Sequence, residues 1–212
     1  HYLSFSTDYN LVEETFSGDE HLKKCMEVGK GIRILHQDLW ETIVSFIISA
    51  NNNIPRIQKI IEKMCELFGE EIDFEGRKYY GFPTAEKLST LTLEDLAPIK
   101  AGFRDKYILD AAKKVFSGEI DLDKLPSLSD AEAKKELMKI KGVGSKVADC
   151  ILLFALSRYK TFPKDVWIKR IMEEAYGVSE KDIDAFAIEK FGNFAGIAQQ
   201  YLYYYHAIKK PL

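Results

Sequence analysis

No stretch of this sequence stays apolar for the ~18–20 residues that a helix needs to span a bilayer. No secretory leader pattern opens it either, so neither a membrane span nor export is expected. Cysteine is scarce. Cys25, Cys65 and Cys150 are odd in number and far apart, which excludes a disulfide framework and points to a reduced, intracellular setting. Charge of one sign is missing as well. The 30 Lys and Arg stand against 33 Asp and Glu, leaving a net charge of −3. Proteins that grip nucleic acid through many lysine–phosphate contacts are usually basic. The balance therefore argues mildly against nucleic acid, and any such role must rest on local features. Long linkers and low-complexity runs are also lacking, and 212 residues suit one large domain or two small lobes with a shared core.

What is present is helical periodicity. After Pro55, apolar residues fall at Ile57, Ile60, Ile61, Met64, Leu67 and Phe68, one face of a helix that Gly69 is placed to end. Tyr107, Ile108, Ala111, Ala112, Val115 and Phe116 repeat the pattern up to Gly118, and Val147, Cys150, Ile151 and Phe154 form a third stripe. Trp40 to Ala50 reads as a buried helix. Ser129 and Glu132 form a capping box that opens a helix towards Lys139, and Ser179 is a cap for another starting near Glu180. Strand signals are confined to residues 1–7 and 29–35. The expected architecture is mostly α. It comprises one helical lobe over about 37–125 and a second over about 1–36 plus 126–212, with the working site at their junction. A faint internal echo relates Ile99–Lys106 to Ile140–Lys146.

The most informative segment is Leu137-Met-Lys-Ile-Lys-Gly-Val-Gly-Ser-Lys-Val-Ala-Asp149. It reads as helix, glycine turn, helix, a hairpin over about 137–149. Gly142 and Gly144 tolerate backbone angles that other residues resist and permit close approach of another molecule. Val143 between them can pin the turn to the core. The amides of Gly144 and Ser145 then point outward at a helix N-terminus, where backbone dipoles favour an anion. A plain helical hairpin with a glycine turn fits the same spacing. Lys146 follows in the first turn of the next helix. Partial positive charge there disfavours an ammonium and favours a nucleophilic amine, although a solvated helix lysine is the commoner fate. Nineteen residues on, Pro163-Lys-Asp165 places a carboxylate at the start of another helix, where it can serve as an N-cap or act in a cleft.

Together, the glycine hairpin, Lys146 and the Pro-x-Asp resemble the signature of the helix-hairpin-helix DNA glycosylase superfamily. Gly31–Asp38, Phe46–Arg56, Gly142–Cys150 and Phe194–Gln199 resemble its 8-oxoguanine DNA glycosylase branch, over almost the whole chain. The resemblance implies a base excision repair enzyme with lyase activity, acting as a monomer on double-stranded DNA that contains 8-oxoguanine. Its setting would be cytoplasm or nucleoid in a prokaryote and nucleus in a eukaryote. It implies Lys146 as the Schiff-base nucleophile and Asp165 as the carboxylate that steadies positive charge on the sugar. Gln199, Cys150, Tyr203 and Phe154 would line the pocket for the flipped base. On a helix, at most two of Tyr201, Tyr203, Tyr204 and Tyr205 can line that pocket. Asn51, Arg56 and Arg104 would meet the orphaned cytosine, Phe103 would act as the wedge, and Gly142, Val143, Gly144, Ser145 and Trp167 would lie along the phosphates. No cofactor is required, a structural monovalent or divalent cation at the hairpin is allowed, and the absence of cysteine beyond Cys150 excludes an iron–sulfur cluster. The chain is expected to begin near the end of the antiparallel-sheet domain that precedes this region in eukaryotic members. Three other readings remain open: a glycosylase of the same superfamily with another damaged base, a non-catalytic helix-hairpin-helix module, and a helical scaffold with no nucleic-acid role.

Overall fold

The computed structural model describes residues 2–209, the side chain of Lys209 excepted. The helices are α1 (Tyr9–Phe16), α2 (Glu20–Val28), α3 (Leu39–Ser49), α4 (Ile54–Phe68), α5 (Ala85–Ser89), α6 (Leu93–Leu96), α7 (Asp105–Phe116), α8 (Asp130–Leu137), α9 (Ser145–Ala155), α10 (Val166–Tyr176), α11 (Ile183–Phe191) and α12 (Ala195–Lys209). One antiparallel ribbon, β1 (Glu71–Phe74) with β2 (Arg77–Tyr80), completes the described elements. No described helix is long and apolar enough to cross a membrane.

Local chemistry sets most helix starts. Side chains of Asp8, Asp19, Asp38, Asn53, Thr84, Thr92, Ser129 and Asp165 each accept a backbone N–H of the helix that follows. Each such cap is worth about 1 kcal/mol. At Ser179 the outcome differs from expectation. Its hydroxyl donates to the Asp182 carboxylate at 2.5 Å, and a short 3-10 turn over Glu180–Asp182 precedes α11. The strands also lie elsewhere than expected. Residues 2–7 form turns and bends, and 32–38 join no strand ladder, their amides bonding instead to the Tyr9 hydroxyl from Ile34 and to the Tyr2 and Phe154 carbonyls from His36 and Gln37. The ribbon at 71–80 closes through Glu75 (φ 53°) and Gly76 (φ 73°), the two left-handed positions that a tight hairpin turn requires.

The chain divides into two compact units, residues 1–37 with 152–212, and residues 38–151. In the first, Val12, Phe16, Leu22, Cys25, Ile168, Met172 and Phe191 join one buried cluster. There Phe191 meets Phe16 edge-on and stacks on Phe162, both at 6.1 Å. Gly196 lets α12 pass close to its neighbours, since a Cβ there would lie 2.5 Å from Leu153 Cδ1 and 2.6 Å from the Thr161 carbonyl. In the second unit, Ile43, Ile47 and Ile48 of α3, Ile60 and Met64 of α4, and Ile108, Ala111 and Ala112 of α7 are buried.

The unit boundary falls at 151/152 rather than near 125, because α7 holds the hairpin. The Asp110 carboxylate accepts the Lys141 N–H at 2.8 Å and the Lys114 ammonium donates to the Lys139 carbonyl. Gly142 (φ 86°) leaves no room for a Cβ, which would fall 2.6 Å from Tyr107 Cδ2. Gly144 needs no such angle, and a Cβ there would meet nothing within 4 Å.

Gly142→Ala should therefore lower the unfolding free energy by about 1–3 kcal/mol in urea denaturation, while Gly144→Ala changes it by less than about 1 kcal/mol. A second expectation concerns alkaline stability. Burial first, and then the neighbouring Tyr9, push the Tyr201 hydroxyl up to about 12. The folded state resists ionising a phenol that the unfolded chain ionises near pH ~10. Tyr201's contribution is therefore intact below pH ~10 and lost as pH rises towards about 12. Tyr201→Phe should flatten this part of the stability–pH curve by on the order of 2 kcal/mol.

Candidate active site

Residues 38–151 hold the hairpin. Val143 is buried and its N–H donates to the Ile140 carbonyl at 3.0 Å, so the turn is pinned from inside. The Ala148 N–H bonds the Gly144 carbonyl at 2.9 Å, which leaves the amides ahead of Ala148 at the open end of α9. Gly144 and Ser145 are exposed there. An exposed helix start with small residues is an anion site built from backbone.

Lys146 stands in this first turn, half-buried. Its ammonium nitrogen lies 5.5 Å from the centre of the Phe46 ring on α3, within range for attraction to the ring face. Cys150 follows one turn later on α9 and is buried. The spacing that drew attention to Lys146 contains no trace of Phe46. A contact across 100 positions leaves no periodic signal, and only the apolar run of α3 marks Phe46 at all.

The turn between α3 and α4 gathers a second group. Asn51 is exposed with φ 50°. Asn52 donates its side-chain amide to the Ile48 carbonyl at 3.0 Å, and Asn53 caps α4 by accepting the Arg56 N–H at 3.0 Å. Arg56 is exposed and its Nη2 reaches the Lys100 carbonyl at 3.3 Å. Arg104 is only 2% exposed. Its Nε donates to the Ala50 carbonyl at 2.9 Å, Nη1 to Ala101 at 3.1 Å, and Nη2 to Asn51 at 2.7 Å and to Ala50. The same guanidinium lies 4.3 Å from the centre of the half-exposed Phe103 ring. Burial first, and then the charge of Arg56, pull Arg104 below the usual arginine range. Asn51, Arg56, Phe103 and Arg104 are thus brought together, but Arg104 faces backbone.

In residues 1–37 with 152–212, Asp165 adopts extended backbone (φ −95°, ψ −179°) and its Oδ1 accepts the Ile168 N–H at 2.8 Å. Burial, and after it the Asp165 carboxylate, raise the pKa of the Tyr203 hydroxyl. Gln199 is 5% exposed and its side-chain oxygen accepts from the Gln200 amide at 2.6 Å. One turn apart on α12, Gln199 and Tyr203 share a face. Tyr201 and Tyr205 are buried in the core and Tyr204 faces solvent. Tyr203 is therefore the tyrosine left for a pocket. Phe154 is half-buried against the core cluster and its carbonyl accepts the Gln37 N–H at 3.0 Å. Trp167 is partly exposed, with the Arg170 guanidinium 5.2 Å from its ring. Among the described residues, no group of three or more His, Cys, Asp or Glu could hold a metal ion.

Residues 38–151 thus carry a lysine in a helix's first turn beside an exposed helix start, and residues 1–37 with 152–212 carry a carboxylate in an Asp cap and a buried side-chain amide. Residues 44–191 match the family model of the HhH-GPD superfamily base excision DNA repair protein, and residues 1–43 match that of the 8-oxoguanine DNA glycosylase N-terminal domain. In this structure the matched N-terminal residues carry α1 and α2 and form no strand among those described. The solved structure of MBOgg1 in complex with a low affinity DNA ligand is 50% identical with a TM-score of 0.94, covering 99% of this chain and 74% of that one. The Clostridium acetobutylicum 8-oxoguanine glycosylase/lyase, solved with dsDNA containing cytosine opposite to 8-oxoG, is 44% identical with a TM-score of 0.92, covering 100% of this chain and 73% of its own. The N-glycosylase/DNA lyase of Saccharomyces cerevisiae is 39% identical over 162 residues, 71% of this chain and 43% of the yeast protein. The chain thus spans less than half of the yeast relative.

Substitution tests the Asp165 cap. Serine keeps an oxygen for the Ile168 N–H, so Asp165→Ser should stay within about 0.5 kcal/mol of the parent in thermal or urea unfolding. Asp165→Ala should cost about 1 kcal/mol.

Proposed function

The chain belongs to the HhH-GPD superfamily of base excision DNA repair proteins, in its 8-oxoguanine glycosylase branch, and from this premise we propose that it excises 8-oxoguanine from duplex DNA through a Lys146 Schiff base. The observation that carries the reading is Lys146 in the first turn of α9, directly behind the exposed amides of Gly144 and Ser145. A phosphate seated on those amides brings the sugar of a neighbouring nucleotide within reach of the lysine.

The chemistry follows from the groups present. The target base leaves the stack, because a base inside a duplex is out of reach of any nucleophile. The Lys146 amine attacks C1′ through its nitrogen lone pair, the base departs with the electron pair of the glycosidic bond, and N9 takes up a proton. The nitrogen gives one proton to the departing base, its lone pair forms the C1′=N bond as the C1′–O4′ bond breaks, O4′ takes the second proton, and loss of the 2′ proton to water then expels the 3′ phosphate with the C3′–O electron pair. The Asp165 carboxylate opposes the positive charge that builds on the sugar as the base leaves. Gln199 supplies a donor and an acceptor on one amide, which suits the Watson–Crick edge of a purine. Cys150, Tyr203 and Phe154 bound the base faces. Trp167 takes a phosphate through its indole N–H. Arg56 reads the orphaned cytosine, Asn51 fills the gap left by the flipped base, and Phe103 wedges the stack. The reading needs no cofactor, and a structural cation at the hairpin takes no part in the reaction. Genomic DNA as substrate places the protein inside the cell.

Borohydride should trap the protein on a duplex containing 8-oxoguanine opposite cytosine, and Lys146→Gln should remove the trapped species below detection while leaving binding to the same duplex in place. In the same assay Asp165→Ser, with its cap intact, should lose roughly 100-fold or more in excision rate. A wild-type chain that excises but never traps would remove the lyase part of the proposal.

A further inference from the structure

A second cluster lies where α2 packs on α12. Nε2 of His21 and Nε2 of His206 are 3.3 Å apart. The ring centres are 5.5 Å apart, farther than the nitrogens by nearly twice the radius of an imidazole, so the two nitrogens point at each other. A neutral imidazole donates through one nitrogen and accepts through the other, and an imidazolium donates through both. The line between the two nitrogens therefore holds one proton. With none, two lone pairs oppose each other, and with two, two N–H groups do. Aromatic rings frame the pair. Tyr176 of α10 meets His21 edge-on at 5.6 Å, and Tyr205 meets His21 at 5.9 Å and His206 at 5.3 Å.

The helix ends decide which ring carries a charge. His21 is the second residue of α2, at the positive end of that helix, and His206 lies in the last turn of α12, at the negative end. An imidazolium is thus favoured at His206 and disfavoured at His21. The bond then runs from a charged His206 to a neutral His21 and is charge-assisted. The groups around the pair leave that assignment in place. On α2, Asp19 caps the helix through Oδ1, and its Oδ2 lies 3.6 Å from the Lys190 ammonium of α11, which offsets its charge. Cys25, one turn after His21, is buried. Burial first, and then the Asp19 charge, push the Tyr176 hydroxyl far above the usual phenol range, so it stays neutral. Tyr205 is buried, and Glu13 of α1 is exposed.

We propose that His21 and His206 hold one proton between them and accept a single positive charge, and that this bond makes the seating of α12 on α2 depend on pH. Unfolded, each imidazole gains its charge near pH ~6.5. Well below that pH the unfolded chain carries two charged imidazoles and the folded pair one, so acid favours unfolding. Well above it the unfolded chain carries none while the folded pair keeps one, so stability falls again until that proton leaves. The pair's contribution therefore peaks near pH ~6.5 and declines on both sides. Tyr203 and Gln199 stand one and two turns before His206 on the same helix, so a loosened α12 reaches the proposed base pocket. That link alone rests on the proposed function, and the shared proton is tested without DNA.

The test is a double-variant cycle. Urea unfolding is measured for the wild type, His21→Gln, His206→Gln and the double variant at pH ~4.5, ~6.5 and ~8.5, with and without EDTA. At pH ~6.5 the two substitutions should be coupled about tenfold in the unfolding constant, and at each outer pH by less than about threefold. A coupling that does not change with pH reports packing alone and overturns the proposal. So does a coupling that EDTA removes, since a bridging metal would then replace the proton. Proton NMR titration of the wild type reads the same event without any substitution. The Hε1 signals of His21 and His206 should move together in two steps more than about 1 pH unit apart. Two independent single steps overturn the proposal even where a variant is too unstable to measure. Amide exchange at Tyr203–His206, compared at one pH, should speed about tenfold in either single variant and less than about twofold further in the double. Exchange that is unchanged in both single variants overturns the claim that the pair seats α12.

Discussion

Backbone groups in two tight turns of residues 38–151 have no ladder to join, and side chains of α7 and of the residue before it supply their partners. Arg104 takes the carbonyls of Ala50, Asn51 and Ala101. Two turns along, Asp110 takes the Lys141 N–H, Lys114 takes the Lys139 carbonyl, and Tyr107 closes against Gly142. A buried polar group left without a partner costs about 1–3 kcal/mol, a penalty that applies to the carbonyls Arg104 satisfies, whereas the hairpin contacts of Asp110 and Lys114 are exposed. Both the hairpin that leads into Lys146 and the turn that carries Asn51 are thereby referred to one rigid helix. The proposed functions of the two turns, anion binding and gap filling, depend on that common reference.

The same wiring resolves the charge question. A net charge of −3 is unusual for a protein assigned to DNA. Several lysines around the hairpin are committed to carboxylates: Lys134 to Asp149 at 2.7 Å, Lys139 to Glu136 at 2.7 Å, and Lys114 to Asp110 at 3.3 Å. In the proposed reading, phosphate attraction comes from amides at the start of α9, whose partial charge is set by the helix and needs no side chain. Such a site adds nothing to the formal charge count, which is why composition argues against DNA while the geometry supports it.

Much of the fold was legible beforehand. The stripes at 57–68, 107–116 and 147–154 became α4, α7 and α9, because apolar spacing within a helix is a local property. The capping box at Ser129 and the cap at Asp165 formed as read. Ser179 did not, since its hydroxyl found the Asp182 carboxylate before any backbone amide. The ribbon at 71–80 escaped notice because its turn is Glu75-Gly76, without the Asn or Asp that usually marks such a turn. The boundary near 125 moved to 151 because Asp110 and Lys114 reach across 31 and 25 positions to the hairpin, a distance over which no periodicity carries.

By itself, the order of residues determined the kind of chemistry: a glycine hairpin followed by a lysine, a Pro-x-Asp after it, and a glutamine on the last long helix. Those features act within a turn or two of chain, through caps, dipoles and backbone freedom, so neighbours along the sequence suffice to define them. Only the tertiary structure decided that Arg104 is buried while Arg56 is exposed, that Tyr201 and Tyr205 enter the core while Tyr204 faces solvent, and which ring lies beside Lys146. Arg104 spends its donors on carbonyls 53 and 54 positions away, and Lys146 meets a ring 100 positions earlier. Contacts of that range exist only once the chain has packed, because it is burial that forces each donor to find its acceptor.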